Sequence, residues 1–308
     1  MGVSRASLGR GPAIVTFGGA TLFTRDDLVP RHAPEWQAVA SSLHGQTDKF
    51  KGDLVIKHSL TLFGHWSSLG VLFPAALLNP VVGTSLFGAA DNPLVILARN
   101  GDRITYPNSQ ITKLADLYLG VDSELFAAAV EVTSIIKNNA NPEDAGAYFV
   151  RDTGAYAETT FAMTNFKKCR FSAAWGAKTG FTSFIGQKGF SLSWALDAKP
   201  DKVDGYGTVD FYVGSGGLVG SCKAVPIGPT MAQIDTQQGV GSAHGALLST
   251  GAADLTITGT GVSVVLKNAS MVETGTAFGI DPLRVGEVSW ETTRGFAAGV
   301  VSAVATVA

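Results

Sequence analysis

At 308 residues the chain is long enough for two domains that each bury a core, and its formal net charge of -2 gives no basic footprint for nucleic acid or an anionic membrane. Only 16% of residues are charged against 45% hydrophobic, so a lone copy would expose unusual apolar surface, and neighbouring subunits are expected to cover much of it. The 37 glycines, set among short runs of Val, Ile, Phe and Thr, read as mainly β.

Residues 1–10 are polar and rich in Gly, Ser and Arg, the composition of an arm. Strands are expected at Ala13–Phe17 and Thr21–Thr24, followed by a long polar connection, Arg25–Thr47, of the kind that forms interfaces. Leu54–Leu62 alternates apolar and polar side chains, the pattern of a half-buried strand. Ser67–Leu78 reads as a short helix ended by Asn79-Pro80, too short and too interrupted to cross a bilayer. Leu94–Leu97 and Arg103–Tyr106 read as a hairpin with a type I′ turn at Asn100-Gly101. Ile111–Leu119 and Ala127–Ile136 follow as strands, with a turn or short helix at Ser123–Phe126, and Lys137–Ala147 is a loop and a boundary. Tyr148–Gly180 bridges to a second unit, which opens with Phe190, Leu192, Trp194 and Leu196 in alternation. A polar turn at Lys199–Asp204 leads to Thr208–Val213, the expected counterpart of Leu54–Leu62. Gln237–Gly245 is loop-like, Leu255–Thr293 completes the unit, and the small apolar tail Gly299–Ala308 is expected to dock as a last strand.

The chain is written twice. Gly101, Ile104, Asn108 and Ile111 are answered by Gly261, Val264, Asn268 and Met271. After a one-residue gap, Gly120, Asp122 and Thr133 are answered by Gly279, Asp281 and Thr292. Upstream, Gly88-Ala89-Ala90-Asp91 recurs as Gly251-Ala252-Ala253-Asp254. Two related β-rich units in one chain point to a symmetric assembly more than to an enzyme with one active site.

The motifs that carry chemistry are missing or misplaced. Gly214–Gly220 (GSGGLVG) follows a strand as a dinucleotide loop does, but Ser221–Pro226 cannot make the long helix such a loop opens. Gly176-Ala177-Lys178-Thr179 lacks the spacing of a phosphate loop, and the sequences around Ser215 and Ser242 lack the first glycine of a nucleophile elbow. His58 and His65 could approach each other, while His32, His44 and His244 fall in loops without metal-ligand spacing. Cys169 and Cys222 read as two reduced, buried thiols, with a disulfide as the alternative. Arg25-Asp26-Asp27 and Pro142-Glu143-Asp144 read as solvated loop charges, with an inter-subunit salt bridge as the alternative. The expectation is no catalytic residue, no cofactor and no metal. The N-terminus has no apolar run of a signal peptide, so synthesis in a cytoplasm without export is expected.

The order Pro93-Leu94-Val95-Ile96, Asn100-Gly101, Tyr106-Pro107-Asn108 and Ile111-Thr112-Lys113 resembles the major tail tube proteins of long-tailed bacteriophages. So do Val130–Ile136 with the loop Asn138–Tyr148, Ala174-Trp175-Gly176, Phe184 with Gly189-Phe190, Gly207-Thr208-Val209-Asp210 and Pro226-Ile227-Gly228-Pro229-Thr230, together spanning about residues 11–300. The resemblance implies two tandem β-sandwich or open-barrel domains, each with a short flanking helix: 1–150 with the arm, 151–180 as connection, and 181–308. It implies a ring of three chains with pseudo-sixfold symmetry, stacked into a hollow virion tail tube. DNA would pass through its lumen without specific binding. The implied partners are the tape measure, tail terminator and baseplate or distal tail proteins, with no membrane segment. The alternatives are another tube-fold virion component, such as a baseplate or collar ring, and a secreted β-sandwich carbohydrate binder or hydrolase. For the last, Trp36, Trp66, Trp175, Trp194 and Trp290 lie scattered one per segment.

Overall fold

The computed structural model describes residues 13–24, 36–40, 47–51, 55–73, 83–87, 92–120, 125–135, 149–157, 171–203, 207–238, 251–259, 262–276, 285–292 and 303–307. It is mainly β. The first half runs β1 (Ile14–Phe17), β2 (Ala20–Thr24), β3 (Trp36–Ala40), β4 (Thr47–Lys51), β5 (Ile56–His65), a 3-10 helix (Trp66–Leu72), β6 (Leu94–Leu97), β7 (Asp102–Tyr106), β8 (Asn108–Leu119), β9 (Leu125–Ile135) and β10 (Val150–Thr153). The second runs β11 (Ser172–Trp175), β12 (Ile185–Gly186), β13 (Phe190–Val203), β14 (Gly207–Ala224), β15 (Pro226–Ile227), α1 (Met231–Gln238), β16 (Ala253–Gly259), β17 (Val262–Thr276), β18 (Val285–Thr292) and β19 (Ala303–Val307).

One sheet runs through both halves in the order β10-β7-β6-β1-β2-β5-β9-β8-β13-β14-β18-β17-β16-β11, with β19 added on β17. Its path does not close on itself among the described residues. Alternation builds it: Ile56, His58, Leu60 and Leu62 of β5 point inward while Lys57, Ser59 and Thr61 face out. The beginning of β8 loses that alternation, because Asn108 to Thr112 are all buried and both faces are covered. The larger apolar core takes Leu22, Leu62, Leu94, Leu114 and Phe126 from the first half together with Trp175, Phe190, Leu192, Val264 and Trp290 from the second.

The pairing scheme is used twice. β1 pairs β6 through Val15 opposite Ile96, and β11 pairs β16 through Ala173 opposite Ile257. Val15 also faces Leu22, as Ala173 faces Phe184. Ile96 faces Ile104 across the first hairpin, and Ile257 faces Val264 across the second. β8 slips register on β9 between Ile111 and Lys113 and again between Leu114 and Asp116; β17 slips on β18 between Met271 and Glu273 and again between Thr274 and Thr276. Phe23 opposite Phe63 is matched by Ile185 opposite Ile227, which makes the small β12–β15 sheet the second-half version of the β2–β5 contact. The edge strands match as well, with Arg151 on Ile104 and Ala305 on Val264. Glycine follows β1 and β11 alike: Gly18 at φ 55 and Gly176 at φ 52 take the left-handed turn a side chain resists.

Several expectations change. β3 lies inside the stretch read as a polar connection, and it pairs β4 in a separate two-stranded sheet. The expected helix at Ser67–Leu78 is a 3-10 helix over Trp66–Leu72, within the described residues. The turn expected at Lys199–Asp204 falls in β13, which runs on to Val203 although Pro200 removes one N–H. Lys57–Leu60 of β5, facing β9, is matched by Ser221–Ala224 facing β18, so the counterpart of that strand lies at the far end of β14 and not at Thr208–Val213. Thr133 is matched by Glu291, one residue short of Thr292, because Val132 faces Ile111 as Trp290 faces Met271. The Asn100-Gly101 turn is not type I′: only Gly101 has a positive φ, of 87. Gly101 N–H donates to Ala98 O at 2.9 Å and Ala98 N–H to Asp102 O at 2.8 Å, a type I turn closed by a left-handed glycine. Strand pairing also divides 151–180, with β10 going to β7 and β11 to β16. The tail strand forms as expected, over Ala303–Val307 on β17.

Candidate functional site

The halves meet along β8 and β13. Phe190 faces Leu119, Leu192 faces Leu117, Trp194 faces Leu114 and Ala195 faces Lys113. Phe190, Leu192, Trp194, Leu114, Leu117 and Leu119 are buried, while Ala195, Lys113 and Tyr118 stand on the solvent face. Alternation along both strands thus places an apolar row under the junction and a polar row over it, and each apolar pair stabilises it by burial of about 1.5–3 kcal/mol per side chain. Ser191 Oγ donates to Asp116 at 2.5 Å on the exposed side.

The distal part of the β13–β14 hairpin reaches back over the first half. Val213 N–H donates to Thr84 O at 3.0 Å, and its carbonyl accepts from Gly83 N–H at 2.9 Å. Leu86 N–H donates to Phe211 O at 2.8 Å. Asp210 is fully buried and accepts from Ser85 Oγ at 2.5 Å, Phe87 N–H at 3.4 Å and its neighbour Phe211 N–H at 2.7 Å. A carboxylate taken out of water in this way needs such donors. Leu86, Phe87, Ile135, Phe211 and Val213 close a second, smaller apolar cluster around it. The arm is therefore a clasp, made of one backbone ladder, one buried acid and one apolar cap.

The outer surfaces are of another kind. β10 is exposed throughout and is paired, among the described strands, only on β7. Arg103 Nε donates to Asp152 at 2.6 Å across that pair, and the guanidinium Nη2 bonds the other oxygen. The carboxylate holds the Arg103 guanidinium above its ordinary value, and the guanidinium holds Asp152 below the ordinary carboxylate range. Exposed apolar side chains include Ile185 and Ile227, which face each other on β12 and β15.

No family model matches this sequence, and no curated protein matches it.

The residues singled out in the sequence fall into place individually. His58 and His65 do not meet: they sit on opposite faces of β5, about 23 Å apart along it. His58 lies against Tyr106, with ring centroids 4.4 Å apart, and burial pushes the Tyr106 hydroxyl up to about 12. Gly214–Gly220 lies inside strand β14, where no helix N-terminus follows to hold a phosphate. Lys178, after β11, sits over the Trp175 ring at 5.5 Å. Cys222 is free and buried in the place on β14 that His58 takes on β5, and burial pushes its thiol well above the ordinary range. His32, His44, His244, Cys169, Ser242, Arg25-Asp26-Asp27 and Pro142-Glu143-Asp144 lie outside the described residues. Among the described residues no group of three His, Cys, Asp or Glu side chains could hold a metal, and no helix is long and apolar enough to cross a membrane.

Sequence reasoning missed two features. Trp175 and Trp290, far apart in the chain, come within 6.3 Å in an edge-to-face pair, joined by Phe181, Phe184 and Phe190. Both indoles are buried, so they form core and not a carbohydrate platform. Asp210 was legible only as part of a Gly-Thr-Val-Asp strand; its role depends on a partner segment, Gly83–Phe87, that no local pattern marks.

Proposed function

We propose that this protein is a structural virion component, not an enzyme: a tail tube subunit whose rings stack into the hollow conduit of a long-tailed bacteriophage. The observation that carries the reading is the repeated pairing scheme, with paired strands, register slips and edge strands recurring in order. It supports two tandem copies of one β domain of sandwich or open-barrel type, each with a short helical element after its central strand. Three such chains would make a ring of six similar lobes. The resemblance to tail tube proteins along residues 11–300 supports the same assignment, as does the low content of charged side chains on a chain built to be covered.

In this reading the work is mechanical and electrostatic. Strand edges are covered by neighbours, which removes templates for aggregation. The lumen conducts DNA without gripping it, since a chain of net charge -2 brings no surplus of basic groups to bind phosphates. The protein belongs in the virion, after synthesis in the host cytoplasm, with tape measure, terminator and baseplate proteins as its partners. A baseplate or collar ring is the second reading, favoured if the repeat makes rings that never stack. End-on electron micrographs of the purified protein or of virions test both. A stacked tube with three chains per layer and six lobes is the expected image; isolated rings select the second reading, and dispersed monomers at high concentration reject both.

A further inference from the structure

The tip of the β6–β7 hairpin holds Asn100-Gly101, the one Asn-Gly pair in the sequence. Glycine has no side chain to screen its nitrogen, so in a freely rotating chain the Gly101 nitrogen can attack the Asn100 side-chain carbonyl. Asn100 and Asp102 are exposed, so water and base reach the site. The folded turn opposes the attack in three ways. Gly101 N–H donates to Ala98 O at 2.9 Å, which makes Asn100 the third residue of a type I turn. At that place ψ is about 0°, and bringing the nitrogen round to eclipse Cβ takes a rotation of about 120°. The side chain is held as well: Asp102 N–H donates to Asn100 Oδ1 at 3.0 Å, and Asn100 Nδ2 donates to Asp102 Oδ2 at 2.7 Å. Gly154 N–H donates to Gly101 O at 2.8 Å, so the residue after β10 pins Gly101 from its other side.

We infer that Asn100 is a site of spontaneous covalent modification, deamidation through a cyclic imide, and that Asp102 guards it by holding the tip closed. When the tip opens, Gly101 N forms a bond to Asn100 Cγ and the Cγ–Nδ2 bond breaks. The proton that leaves Gly101 N departs with Nδ2 as ammonia. Water then opens the imide at either carbonyl, giving aspartate, or isoaspartate with one more methylene in the main chain. The rate in the folded chain is the rate in the open tip multiplied by the fraction of time the tip is open. Reaction also removes the guard, because Nδ2 is gone and a new carboxylate stands beside that of Asp102, where like charges repel. A tip that has reacted therefore stays open, and its contact with Gly154 weakens. The inference rests on this turn and not on the tube reading.

Ageing the full-length chain at mildly alkaline pH tests this, with Asn100 conversion read by peptide mass spectrometry and isoaspartate counted by enzymatic methylation. In the folded chain Asn100 should convert at least about tenfold more slowly than in the same chain unfolded by guanidinium chloride. Asp102→Ala, which removes the acceptor of Nδ2, should raise the folded-state rate roughly threefold or more and leave the unfolded rate in place. Asp102→Asn, whose side-chain oxygen still accepts, should stay near the original rate. In the converted fraction, separated by ion exchange on its added negative charge, the Gly154 amide should exchange faster than in the unconverted one, while amides on β9 keep their protection. Conversion as fast in the folded chain as in the unfolded one, a folded rate that Asp102→Ala leaves unchanged, or no conversion at Asn100 even on unfolding would each overturn the proposal.

Discussion

Trp175 and Trp290 form a matched pair for weighing one buried hydrogen bond. Both side chains are buried to within 1% of full exclusion, and each packs on the other and on Phe181. The indole N–H of Trp175 donates to Ala269 O at 2.9 Å, whereas that of Trp290 meets no acceptor among the described residues. Replacing either by Phe removes the same atoms, so the packing loss is common to the two. Trp175→Phe additionally removes the hydrogen bond to the Ala269 carbonyl, a loss of about 0.5–1.5 kcal/mol, while Trp290→Phe removes a donor whose burial without an acceptor costs about 1–3 kcal/mol. Trp175→Phe should therefore be the less stable by about 3 kcal/mol, or roughly 6–12 °C in the melting of a cooperative unit of 150–250 residues. Urea and thermal unfolding, followed by far-ultraviolet circular dichroism, measure the difference. Equal stabilities, within the roughly 0.5 kcal/mol scatter of such comparisons, or the reverse order would refute the reasoning.

Other consequences follow from the same side chains. Burial raises the Tyr106 hydroxyl to about 12, so its folded value lies above the unfolded one; its contribution to stability should be complete below about 10 and decline as pH rises through 12, with tyrosinate absorbance appearing late relative to a Tyr106→Phe control. Asp152 titrates below the ordinary carboxylate range because of Arg103, so its small contribution is present at neutral pH and lost as pH falls through the lowered value; Arg103→Gln should move its carboxyl titration upward by carbon NMR. In a Cys169→Ser chain, Cys222 should resist thiol reagents until the protein is unfolded, since it is buried and its thiolate is disfavoured. Leu117→Ala should cost about 2–5 kcal/mol and lower amide protection on β13 as well as on β8, because Leu117 faces Leu192 across the junction; a loss confined to β8 would contradict the pairing.

Much of the wiring was legible in the chain. The alternation of Ile56–Leu62 marks a half-buried strand, the glycine after Asn100 marks a hairpin, and the spacing from Gly101 to Ile111 marks the repeat. What stayed hidden depended on partners distant in sequence. β3 and β4 are short and mixed in polarity, with no period to reveal them. β13 carries Pro200 and a run of charges through a region that reads as a turn, and its strand conformation comes from β14 alongside. Gly214–Gly217 reads as a loop for the same reason, since its extended conformation comes from the hairpin and not from its residues. The turn at Asn100 went wrong at the level of one dihedral, which residue type alone does not decide. The junction between the halves has no local signature at all, because each strand's pattern is satisfied by any apolar neighbour.

The β8–β13 ladder also sets an order of events during synthesis. β8 is complete at Leu119, but the strand that covers its edge does not begin until Phe190. At the usual pace of translation, of roughly 5–20 residues per second, that edge leaves the ribosome several seconds before its cover. For that interval the nascent first half is a ready template for any extended chain nearby, including another nascent copy. Leu114 and Leu117, which pair with Trp194 and Leu192 in the finished fold, stay uncovered on that side for the interval.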